Sequence, residues 1–172
     1  MRVVGIDPGL NTTGYGVVDG ADGALALVEA GMVTSSRRDP MSERIRCLHA
    51  DIGDVLRETE PDVLAIENLY AHYKHPRTAI LMGHARGVVL LAAAQFGVPV
   101  AGYAATMIKR SLTGNGHASK RQVQRMVQAA LGLAEPPEPP DVADALAVAL
   151  CHLNAAERPE VLGRPQSGGP TK

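Results

Sequence analysis

Four carboxylates stand where elements begin or end. Asp7 closes an apolar strand, Val3 to Ile6, just ahead of Pro8-Gly9. Glu67 closes a second short buried strand, Asp62 to Ile66. Asp141 and Asp144 open the last helix and, three apart, share one of its faces. If the two strands are neighbours, Asp7 and Glu67 lie side by side at one sheet edge, and a helix opening there completes a group of four. Such a group repels itself unless a cation compensates. An all-oxygen set with no Cys or His cluster favours Mg2+ or Mn2+ over zinc. The chemistry it suits is metal-assisted cleavage of a phosphodiester. Each residue also has a plainer role. Asp7 is a common turn residue before Pro-Gly, Glu67 a first solvated residue after a strand, and Asp141 and Asp144 first-turn acids favoured by the helix dipole. Asp144 fits that role least well, inside the small apolar run VADALAVAL.

Charge distribution adds a second signal. The formal net charge is −1, which by itself argues against a polyanion ligand. From Asn68 to Ala134, however, there is no Asp or Glu, while Lys74, Arg77, Arg86, Lys109, Arg110, Lys120, Arg121 and Arg125 fall within that segment. All 18 acidic residues lie outside it. Solvated surfaces usually mix both signs, so this segregation reads as an electrostatic footprint for a polyanion.

The elements that must position these groups follow from periodicity. Val3 to Ile6, Thr13 to Val18 and Ala24 to Val33 read as an antiparallel meander. Asp39 is the expected N-cap of a helix with Pro40 in its first turn and Met41, Ile45, Leu48, Ile52, Val55 and Leu56 on its apolar face. The fourth strand follows, then a loop from Asn68 to Pro76 and a long apolar helix from Thr78 to Phe96. Val98 to Tyr103 is the fifth strand, and a short helix runs from Thr106 to Leu112. Ser119 caps a helix with Val123, Met126, Val127, Ala130 and Leu131 inside and Arg121 and Arg125 outside. Pro136 to Pro140 runs extended, and the last helix covers Asp141 to Ala156. The order predicts an α/β domain: a mixed sheet, its first three strands antiparallel and the rest parallel, with helices on both faces. Residues 1–156 form that domain, and 157–172 have the composition of a flexible tail.

At this level the resemblance becomes specific. GIDPGLNTTGYGVV, LAIENLY, the GHARGV helix, KRQVQRMV and DVADALAVALCH, in that order and spacing, resemble the RuvC family of Holliday-junction resolvases over nearly the whole chain to about residue 155. The resemblance implies a ribonuclease-H-like fold. It implies a homodimer that nicks two strands of four-way junction DNA symmetrically with Mg2+, alongside the RuvA–RuvB branch-migration complex. The family's acidic tetrad falls on Asp7, Glu67, Asp141 and Asp144, its aromatic on Tyr70, and its basic positions on Lys109 and Lys120. Two-metal chemistry then has Asp7 bridging both ions and the other three completing their shells. Tyr70 would stack on an unpaired base, and Arg77, Arg86, Lys109, Lys120, Arg121 and Arg125 would meet DNA. The near-neutral net charge departs from a strong DNA binder's composition.

Composition bounds the rest. With 45% apolar residues, no Trp and one Phe, the core must be aliphatic. Cys47 and Cys151 have no metal-ligand spacing and read as core residues in a reducing compartment. His49 and His152 read as helix-surface or core residues. No signal segment is expected at MRVVGID, and the longest apolar run, Val88 to Ala94, is short for a membrane span, so a cytoplasmic protein is expected. Three alternatives stay open on the residues alone. One is an actin- or sugar-kinase-type ATPase, whose second lobe this length does not supply. The others are a YqgF-type nuclease and a junction-binding protein without catalysis. Gly83 and Gly87, four apart on the long helix, either admit a second copy or pack on the chain's own sheet.

Overall fold

The computed structural model describes residues 1–69, 76–157 and the backbone of 166–167. Its strands are β1 (Arg2–Asp7), β2 (Thr12–Ala21), β3 (Ala24–Thr34), β4 (Val63–Glu67), β5 (Val100–Tyr103) and the two-residue β6 (Gln166–Ser167). Its helices are α1 (Met41–Thr59), α2 (Pro76–Gln95), α3 (Ala105–Thr113), α4 (Lys120–Ala130) and α5 (Pro140–Glu157). The sheet order is β3-β2-β1-β4-β5-β6. β1 runs antiparallel to β2 and parallel to β4, β4 runs parallel to β5, and β6 runs antiparallel to β5. The mixed sheet expected from element order is therefore present, with helices on both faces in the ribonuclease-H-like arrangement.

Strand alternation sorts the core into two layers. Val4, Ile6, Val17, Leu64 and Ile66 face α1 and α2, where they meet Leu48, Ile52, Val55, Leu56, Ala85, Val89, Ala92 and Ala93. Val3, Val18, Ala65 and Tyr103 face α3, α4 and α5, among Ile108, Val123, Val127, Leu146 and Leu150. A buried Tyr103 hydroxyl shares a 2.7 Å hydrogen bond with His152 Nδ1, so His152 is a satisfied core residue. Cys151 is buried, whereas Cys47 is only part-buried, its thiol against Glu43 and Arg46.

Local details correct several expectations. Asp39 does not cap α1. Its N–H closes a turn onto Ser36 O, and the first helical bonds are accepted by the Pro40 carbonyl, which leaves Pro40 at the cap position with no side-chain cap. Met41 is exposed rather than core. Ser119 does cap α4, and its partner Gln122 completes a reciprocal capping box. On α4 only Val123 and Val127 are buried; Met126 is 41% exposed and Ala130 is exposed too. The helix touches the core along a narrow stripe rather than a broad face.

Arg77–Gln95 has the length and hydropathy of a membrane span although no single apolar run within it does. Its Ala85, Val89, Ala92 and Ala93 are core residues of the folded domain.

Candidate active site

Period-two alternation fixes two of the four carboxylates. Val3, Gly5 and Asp7 share one side of β1, and Ala65 and Glu67 share that side of β4. The register pairs Ile6 with Ile66 in parallel, so the residues that follow, Asp7 and Glu67, end their strands together on the α5 face. This is the conditional geometry expected from the sequence, and it is met.

Close backbone approach brings α5 down onto them. A Cβ on Gly5 would lie 2.1 Å from Ala145 O and 2.6 Å from Ala149 N. Gly14, the antiparallel partner of Asp7, would carry a Cβ 2.1 Å from Asp141 O. Only glycine at these positions lets the helix lie so deep, and the depth sets the first turn of α5 beside Asp7. These glycines were a readable signal in GIDPGLNTTGYG that a search for charged residues alone passes over.

The resulting pocket has a volume of about 350 Å³. Asp7, Glu67, Asp144, Lys109 and Lys120 supply its polar lining. Asp141 faces an adjoining groove yet acts on Asp7 electrostatically. Burial, then repulsion from Asp144, Glu67 and Asp141, pushes the Asp7 carboxyl up to about 7 against the opposing pull of Lys120. Burial and Asp144 likewise raise Glu67, while Lys109 and Lys120 lower it. Lys120 Nζ donates to Asp144 Oδ2 at 2.8 Å, and that bond raises the lysine.

Does a divalent ion fit here? The donors are all carboxylate oxygens, and their mutual repulsion calls for positive charge at the centre. As the side chains stand, no three His, Cys, Asp or Glu among the described residues form a group able to hold an ion. The cation now meeting Asp144 is Lys120. Donor chemistry and charge fit a hard divalent ion, given that Lys120 releases Asp144.

The expected nucleic-acid contacts separate into groups. Lys109 and Lys120 line the pocket. Arg121 and Arg125 are exposed on the outer side of α4, and Arg77 is exposed in the first turn of α2. Arg86 turns inward. Its Nη1 donates to Glu67 O at 2.7 Å and its Nη2 to Asn68 Oδ1 at 3.2 Å, while Asn68 N–H bonds Tyr103 O at 2.7 Å. The guanidinium counted as a surface cation therefore braces the end of β4. Tyr70 and Lys74 lie outside the described residues.

Fold and pocket together define a ribonuclease-H-like α/β protein with three carboxylates and two lysines lining one pocket at the sheet edge and a fourth carboxylate, Asp141, on the adjoining groove. Comparison with known proteins takes this class to a family. The model of the family described as crossover junction endodeoxyribonuclease RuvC matches residues 3–152. A RuvC from Rhodopirellula baltica is 50% identical over 157 residues, 91% of this chain and 88% of the relative. A Thermus thermophilus RuvC structure aligns with a TM-score of 0.86 at 39% identity, covering 96% of this chain and 99% of that one. Thermus thermophilus RuvC in complex with a Holliday-junction substrate aligns with a TM-score of 0.89 at 38% identity and the same coverages. The chain belongs to the RuvC family, which removes the ATPase alternative.

Proposed function

We propose that this protein is a Mg2+-dependent endonuclease that resolves four-way DNA junctions by paired nicks, in homologous recombination and DNA repair. The observation that carries the reading is the meeting of Asp7 and Glu67 beneath the first turn of α5, with Lys109 and Lys120 in the same pocket. Asp7, Glu67, Asp141 and Asp144 would hold two ions. Mg2+, or Mn2+ in its place, would supply activation of the attacking water and charge stabilisation at the phosphate and the leaving 3′ oxygen.

The chain's own residues do the remaining work. Lys109 and Lys120 hold the scissile phosphate by its non-bridging oxygens. Lys120, which donates to Asp144 Oδ2 at 2.8 Å, would be free to meet phosphate once Asp144 holds an ion instead. Ile108, Val123 and Ala147 wall the pocket and limit water. Arg77, Arg121 and Arg125 track neighbouring phosphates, and Tyr70 stacks on an unpaired base at the crossover. Residues 1–156 are the nuclease domain. The protein acts in the cytoplasm with RuvA–RuvB.

A junction with near two-fold symmetry calls for two active sites, hence a homodimer. The outer face of α2 supports one. Ile80 is 61% and Leu91 52% exposed, and a Cβ on Gly83 or Gly87 would meet nothing within 4 Å among the described residues. Those glycines therefore do not serve packing on the chain's own sheet, and a second copy is the occupant that the apolar face fits. Gly87→Leu should yield a folded monomer in sedimentation; a persistent dimer removes α2 from the interface.

The direct test of function is a synthetic four-way junction incubated with the protein in Mg2+ or in EDTA. Symmetric nicks only with Mg2+ are expected. Binding without cleavage in either condition would return the protein to the non-catalytic alternative.

A further inference from the structure

A second groove, of about 350 Å³, opens on the other side of Met82 from the lysines. Met82 lines both pockets, so the two adjoin. The second groove is lined by Asn11, Thr12, Arg37 and Thr78, and it begins at Asp141, the carboxylate absent from the first pocket. Its polar side chains, Asp141 apart, can all donate, and Arg37 makes no ion pair among the described residues.

The groove's floor is built rather than incidental. Arg44 is a buried cation, 8% exposed, and its Nη2 donates to Asn11 Oδ1 at 2.6 Å. Arg44 Nε donates to Ser35 Oγ at 3.1 Å, and Ser35 Oγ in turn donates to Leu10 O. Ser35 N–H bonds Asn11 O at 3.0 Å, and Thr13 Oγ1 donates to Gly9 O at 2.7 Å. The 9–13 turn is thereby tied to the start of α1. Because Asn11 Oδ1 is committed to Arg44, the Asn11 side chain can offer the groove only its Nδ2 donor. That Nδ2 has no partner among the described residues.

We propose that this groove is the far half of the nucleic-acid track. It holds the phosphodiester backbone of the cut strand beyond the carboxylates, with Asn11 Nδ2, Arg37 and the Thr78 hydroxyl as donors. The assignment rests on the nuclease reading and extends it outside the acid-free segment, to residues from the N-terminal third of the chain. A strand crossing the carboxylates must leave on the side opposite Lys109 and Lys120, and this groove is the adjoining exit.

The test is junction binding by fluorescence anisotropy in EDTA across a salt series, for wild type, Asn11→Asp, Arg37→Gln and Lys120→Gln. Asn11→Asp keeps the acceptor for Arg44, so its melting temperature should hold or rise while affinity falls about tenfold, the scale of one charge-assisted contact turned repulsive. Arg37→Gln, at an exposed position, should lose affinity and flatten the log–log salt slope by about 0.9. If both bind as wild type with unchanged slope while Lys120→Gln weakens, the groove assignment is overturned and the nuclease reading stands. If only Asn11→Asp binds normally, the assignment of Asn11 as a donor is overturned. A wild type that does not bind the junction at all overturns both.

Discussion

α5 and α2 are apolar helices of nearly equal length, yet the fold treats them oppositely. α5 is buried along almost its whole length, from Val142 to Ala155, and packs on β1, β2 and β4. α2 buries one face and leaves Ile80, Gly83, Gly87 and Leu91 in the open. The monomer accounts fully for the apolar surface of α5, and that helix carries two carboxylates whose placement depends on its depth. The described residues leave the outer side of α2 uncovered, while its inner side braces Glu67 through Arg86. Apolarity in the sequence marks both helices as buried; only the glycines opposite them show which one the monomer buries.

The comparison can be broken first at the site. Glu67→Gln removes a carboxylate while keeping shape, and cleavage should fall by roughly three orders of magnitude with junction binding retained, in line with losing a group that acts on the transition state. Near-normal cleavage would make Glu67 a mere strand-end residue.

The glycines give a sharper contrast, because the same substitution should have opposite signs beneath α5, at Gly5 of β1, and on α2, at Gly87. Gly5→Ala places a methyl within 2.1 Å of Ala145 O, so α5 must move off the sheet. We expect ~3 kcal/mol of destabilisation in denaturant unfolding, the upper range for overpacking. Gly87→Ala meets open space and gains helix propensity, so it should stabilise the dissociated chain by ~0.5–1 kcal/mol. A stabilised Gly5→Ala or a destabilised Gly87→Ala would contradict the assignment of the two faces.

The pH dependence of metal-free stability lies between these effects. Asp7 is raised from the usual 3.8 to about 7 in the folded state, so folding favours its protonated form. That contribution is fully present below about pH 4 and is lost as pH rises towards 7. The stability difference between Asp7→Asn and wild type should therefore be smallest at pH 4 and grow to favour the variant by on the order of 2 kcal/mol at pH 8. Saturating Mg2+ should shrink that advantage, since ligand stabilises only the intact site. A difference flat with pH in urea titrations would mean the carboxylates do not crowd one another.

The least of the effects concerns Arg86. Arg86→Lys keeps the charge but cannot span both Glu67 O and Asn68 Oδ1. It should lower kcat several-fold while leaving junction affinity unchanged, whereas a surface phosphate contact would show the reverse pattern.

Much of this was legible in the residues. Alternation and helical periodicity gave the element order, and the positions of acids at element ends gave the cluster. Strand adjacency was not legible: that β1 neighbours β4 is a tertiary fact, and the four acids converge only because of it. Arg86 reads as one more cation in an acid-free segment because charge is visible in sequence and direction is not. The Arg44–Asn11 bond joins residues 33 apart and leaves no local pattern. Met126 and Ala130 fit a helical stripe but lie beyond the edge of what α4 touches. Asp39 fits a cap by type, but the first helical bonds are accepted one residue later, by the Pro40 carbonyl.

Asp7 either holds a catalytic metal ion or only holds the Pro8-Gly9 turn. A time course of four-way junction cleavage in Mg2+ with Asp7→Asn beside wild type, on protein shown by melting to be folded, separates the two. As a metal ligand, Asp7 gives a variant at least as stable as wild type in EDTA that binds the junction and leaves it uncut. A destabilised variant that still cuts at a near-normal rate would contradict that role.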